Sequence, residues 1–173
     1  MAHFYALLAT LLLGVTHASY LNLTALTGRN NVSVIECWQL KSPLVEASPP
    51  GARQLDMGGL ESATYAVSTG NLDFGLHNAP CKQWVWIMSG VMEFSLPNGT
   101  DTARVYGGNH GLVFADDTKD ISGWGHQTIF YGEGESVGVF LPTKDNVVPE
   151  HTVLYSGPCT VHEQAEVDTP WLR

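Results

Sequence analysis

From Glu61 onward the chain is cut into short runs of β-branched and aromatic residues, each bounded by Gly, Pro, Asn or Asp. The runs are Ala63 to Ser68, Asp73 to His77, Gln83 to Met88, Val91 to Leu96, Thr102 to Tyr106, Leu112 to Ala115, His126 to Phe130, Ser136 to Leu141 and Val153 to Tyr155. Runs of this length between turn residues are too short for stable helices, so about nine strands are predicted. No long helical period competes with them, and no repeat of solenoid length is present. Pro97-Asn98-Gly99 separates two runs, and Asn-Gly accepts the positive φ of a tight hairpin turn. The expected fold is all-β, a mostly antiparallel sandwich or barrel.

A chain of 173 residues is long enough for one ordinary core and too short for two comfortable domains. Charged residues make up 14%, and 8 Lys and Arg against 17 Asp and Glu leave a formal charge of -9. That balance argues against binding nucleic acid through its phosphates or anchoring on anionic membranes. Residues 1–18 carry an apolar run from Phe4 to Val15 and end in Thr16-His17-Ala18, which reads as a secretory signal peptide and makes the expected destination extracellular or the lumen of a vesicle. Sequons beginning at Asn22, Asn31 and Asn98 fit that route and are candidate glycosylation sites. Residues 19–60 read as an N-terminal arm with the first strands, containing a polar stretch from Tyr20 to Asn31 and linker-like runs at Ser42-Pro43 and Ala47 to Gly51. Residues 61–159 form the barrel unit, and 160–173 a polar tail. Three cysteines, Cys37, Cys81 and Cys159, allow three pairings. Cys37 and Cys159 lie near the two ends of the mature chain, and because domain termini are often neighbours their pairing is favoured. Cys81 is then left as a lone thiol, either a small buried apolar residue or a reactive group.

The chemically informative stretch runs from His77 to Gly90. If it is extended throughout, His77, Ala79 and Gln83 project from one side, while Trp84, Trp86 and Met88 project from the other. The first set would wall a pocket with Val85 and Ile87. The second would be core between sheets or a dimer contact. Downstream, His126 shares its face with Thr128 and Phe130.

These residues resemble the cupin superfamily, and more narrowly a group of small secreted fungal cupin-domain proteins. Gln83 stands where the Glu of the first cupin motif is expected, with six residues between it and Gly90. Counting back places His77 on that motif's first His and Ala79 on its second. Gly111 to Asp117 opens the second motif, Gly123-Trp124-Gly125-His126 supplies its His, and Phe130 stands where Asn is expected. The tail from Pro149 to Leu154, ending in Gly157-Pro158-Cys159, fits the narrower group. The resemblance implies a double-stranded β-helix, the jelly-roll barrel of cupins, and pairing through its sheets as a homodimer. It also implies a metal site, here reduced to His77 and His126. Ala79 cannot ligate and Gln83 offers a neutral carbonyl, so the expected cofactor is none, or a weakly held divalent metal whose shell Glu93 or Cys81 could complete.

Two imidazoles across an apolar cavity can serve as acid and base, with Gln83 orienting the bound molecule. The expected partner is therefore a small organic molecule, and the expected chemistry isomerisation, cyclisation or elimination by His77, Gln83 and His126, in the setting of fungal secondary metabolism that the resemblance implies. A non-catalytic ligand-binding or effector-like glycoprotein and a metal-dependent cupin oxygenase are the alternatives. His110, His151 and His162 are expected in solvent, and Asp116 to Asp120 as a solvated turn ahead of His126.

Overall fold

The longest strands lie ahead of every run that the turn pattern marks. The computed structural model describes residues 19–98 and 101–165; the expected signal peptide and the end of the expected polar tail lie outside them. β1 (Ser19–Arg29) and β2 (Val32–Glu46) pair antiparallel across Asn30 and Asn31, both at positive φ, which gives the two-residue turn whose twist matches the flanking strands. The stretch expected to be a polar arm is thus a strand whose residues 22–27 are all buried. Leu23 and Ala25 face one side and Leu26 the other, as in a strand covered on both faces. Its buried polar groups have partners: Asn22 donates to the Glu163 carbonyl and accepts from Gln39, and Thr24 accepts from the Cys159 amide. Ser42 and Pro43 belong to β2, and the Ala47–Gly51 run is the turn that returns β3 (Arg53–Gln54) against it.

The marked runs follow as β4 (Thr64–Thr69), β5 (Leu72–His77), β6 (Gln83–Ser89), β7 (Val91–Ser95), β8 (Thr102–Tyr106), β9 (Leu112–Ala115), β10 (His126–Tyr131), β11 (Glu135–Pro142) and β12 (His151–Ser156). Two sheets result, one ordered β12-β2-β1-β9-β6-β11-β4 with β3 added at β2, the other β5-β10-β7-β8. Pairing is antiparallel except between β1 and β9, so the architecture is all-β with a mixed larger sheet. Between the sheets lies a core built on Leu26, Ile35, Val85, Ile87, Met92 and Phe94. A second cluster of Leu23, Trp38, Trp84 and Phe114 covers the outer side of the large sheet under Leu55, Met57 and Val148. The expected stripe therefore divides: Trp84 is core, while Trp86 and Met88 are exposed.

Cys37 and Cys159 form a disulfide. It sits where β2 meets the segment ahead of α1 (Val161–Ala165), the short helix that begins the expected tail. Thr160 and Glu163 close its first turn reciprocally, Thr160 accepting from the Glu163 amide and Glu163 accepting from the Thr160 amide. Asn31 and Asn98 are exposed. Asn22 is 9% exposed with its amide engaged, so the folded chain does not offer it to a glycan.

Candidate functional site

Pro80 lies in the break between β5 and β6, because a proline cannot donate to a ladder. The segment 78–82 carries the chain from the small sheet to the large one, so His77 and Gln83 do not share a strand face as expected. They face the same cavity from opposite sheets. His77 ends β5 directly across from His126, which opens β10. Their ring centroids are 4.5 Å apart.

The three side chains meet in a cavity of about 410 Å³. Phe74, Phe94 and Phe130 line it from the small sheet and Val85 and Phe140 from the large one, with Thr64, Cys81 and Thr128 as further polar groups. Phe74 packs edge-on to Phe130 at 5.7 Å and Phe94 edge-on to the His126 ring at 5.8 Å. Ala79 is buried in the same wall, and its amide nitrogen reaches Asp117 at 3.3 Å.

Asp117 belongs to the stretch expected as a solvated turn. Asp116, Asp117 and Thr118 are buried, and Asp117 is fully so. The His126 Nδ1–H donates to its carboxylate at 2.8 Å, and the Ser33 hydroxyl donates at 2.6 Å, itself 2.8 Å from Ser122. Asn78 ties the same loop down by donating to the Asp117 and Ser122 carbonyls. His77 Nδ1 lies 2.9 Å from the Gly75 carbonyl, an acceptor only, so Nδ1 carries the proton there as well. In its neutral form each ring is thereby held in one tautomer, with Nε2 as the free acceptor. A buried carboxylate behind an imidazole also stabilises the positive charge that forms when Nε2 takes a proton. The legible signal for Asp117 was its position after the apolar run of β9; an acidic turn and an acidic support for a histidine look alike in one dimension.

The remaining candidates lie elsewhere. Glu93 sits on the far side of β7, paired with Arg104 at 2.6 Å and accepting from Tyr131, so it cannot complete a metal shell at His77. Cys81 lines the cavity, its sulfur 4.0 Å from the Gln83 carbonyl oxygen. Burial pushes its thiol up, opposite to what a reactive thiolate needs. His151 is not in open solvent but stacks on Trp38 with ring centroids 3.5 Å apart. His110 is half-buried and His162 exposed.

Anchoring of both imidazoles through Nδ1 is the arrangement that metal ligands use. The donor set does not fit a tightly held divalent metal, however. Two neutral nitrogens and an amide carbonyl bring no negative charge, and Asp117 is committed behind His126.

No protein-family model matches the chain, and no curated protein matches it. Among solved structures it is similar to the capsular polysaccharide assembling protein CapF from Staphylococcus aureus, with a TM-score of 0.34 and 14% identity over 76% of this chain. The match spans 34% of that protein.

Proposed function

We propose that the chain is a secreted cupin-type jelly roll that rearranges a small organic molecule by metal-free acid–base chemistry. The observation that carries this reading is the Asp117–His126 pair opening onto a cavity that holds a second, independently anchored histidine. His126 is the base: its Nε2 takes a proton from the bound molecule, and Asp117 stabilises the imidazolium. The same imidazolium returns the proton to a second atom, while His77 Nε2 accepts a hydrogen bond from the bound molecule. One proton removed and one delivered leave the composition unchanged, which is isomerisation or cyclisation. Loss of a protonated leaving group in place of the second transfer makes it an elimination. Gln83 on the opposite sheet hydrogen-bonds the reacting molecule, and the apolar walls exclude water. The disulfide supports an oxidising destination, in line with a secreted chain.

Proton abstraction can be read without the natural substrate. Chelator-treated protein is expected to accelerate exchange of the α-protons of 2-tetralone in D2O, followed by NMR. His126→Ala abolishes the acceleration, and Asp117→Asn, which leaves the ring free to take the wrong tautomer, lowers it by about 100-fold or more. Activity that returns only with added iron, manganese or nickel overturns the metal-free reading. Thermal protection by ligand without any exchange, unaffected by loss of both histidines, identifies a binding protein instead.

A further inference from the structure

We infer that the cavity takes a neutral, flat, hydroxyl-bearing molecule, a phenol or an enol, and discriminates against carboxylates. The inference rests on the His77–His126 cavity being the binding site and extends that reading to the class of molecule bound. Charge comes first. None of the residues lining the cavity is Asp, Glu, Lys or Arg, so an anionic group would enter without a cation to meet it. Behind the wall stands the buried Asp117 carboxylate, against His126, and it repels a second anion through a poorly screened medium.

Hydrogen-bond polarity comes second. Both imidazole Nδ1–H groups are spent on acceptors, on the Gly75 carbonyl and on Asp117. Each neutral ring therefore offers a lone pair at Nε2, and two acceptors on rings 4.5 Å apart are satisfied by a ligand that donates. An ether or ester oxygen in that place leaves them unpaired, which is costly away from water. Shape comes third. Phenylalanine rings on both sheets form the walls, with Phe74 and Phe130 in edge contact, an arrangement that suits an aromatic or conjugated ring.

The test compares three probes on one ring system, 2-naphthol, 2-methoxynaphthalene and 2-naphthoate, by calorimetric titration of the full chain at neutral pH. The naphthol is expected to bind at least about tenfold more tightly than the other two, the effect of one hydrogen bond to an otherwise unpaired group. The preference for naphthol over its ether is expected to vanish when His77 and His126 are both replaced by Phe, which retains an aromatic ring at each position. Equal binding of naphthol and ether by the unmodified chain, tightest binding of naphthoate, or absence of binding by all three overturns the inference. None of these readings needs turnover. A chain that prefers naphthol yet exchanges no tetralone protons keeps the ligand class and loses the acid–base role, whereas exchange without the preference does the reverse.

Discussion

At the scale of single residues, two adjacent carboxylates show how neighbours in sequence acquire opposite roles. Asp117 is fully buried and collects donors from Ser33, His126 and Ala79, so its charge is satisfied. Asp116 is 5% exposed with one carboxylate oxygen lacking a partner. Burial pushes its carboxyl above the ordinary carboxylate range, and a hydrogen bond from Thr27 only partly opposes that. A raised value in the folded state means that the folded chain binds the proton more tightly than the unfolded one. Its favourable contribution is therefore complete below the unfolded value and is lost as pH rises through the folded one. Asp116→Asn, a permanently neutral replacement, is expected to match the parent in acid and to be more stable by about 1–3 kcal/mol near neutrality. Paired denaturant titrations across that interval check it; a gap that shrinks with rising pH contradicts the assignment. Neither role was legible in the sequence, because Asp-Asp before Thr-Lys-Asp has the composition of a turn, and only the neighbours brought by β2 and β10 tell the two apart.

At the scale of elements, the site depends on how β5 and β10 begin and end. Gly125 stands at φ +73°, and a Cβ there would lie on the carbonyl oxygen of His77, inside any permitted contact. The glycine thus lets β10 approach β5 closely enough for His126 to pair with His77. Gly125→Ala is expected to cost more than about 1 kcal/mol of stability and to separate the two imidazoles, so that tetralone exchange falls further than the loss of folded protein explains. Unchanged exchange in the folded fraction would remove Gly125 from the construction of the site. The marked strands were legible within a residue or two because turn residues bracket them. β1 was not, since Asn22 and Thr24 read as polar surface until Gln39, Cys159 and α1 are seen to cover them. The same blindness joined His77 and Gln83 into one strand, where Pro80 divides them between two sheets.

At the scale of the whole molecule, the Cys37–Cys159 bond closes a loop spanning 122 positions and ties the strand beside β1 to the segment that leads into α1. Constraint of the unfolded chain by so long a loop contributes about 5 kcal/mol in the chain-entropy account. Replacing both cysteines by Ala is expected to lower the unfolding free energy by an amount approaching that figure. A change below about 1 kcal/mol would show that the unfolded chain is already compact there. Cys81 is expected to remain titratable by a thiol reagent in the unfolded parent, at one equivalent per chain.

Residue order is enough to reveal the all-β character, the positions of most strands and the candidacy of His77, Gln83 and His126, and it favours the pairing of the outer cysteines, because side-chain alternation, turn chemistry and nearness of termini are local or nearly local properties. Only the folded chain reveals that the two histidines are paired across strands, that Gln83 faces them from the other sheet, and that Asp117 sets the tautomer of His126. Those facts depend on which residues distant in the chain are brought within hydrogen-bond reach and shut away from water, and burial of that kind leaves no mark on the local pattern of residues.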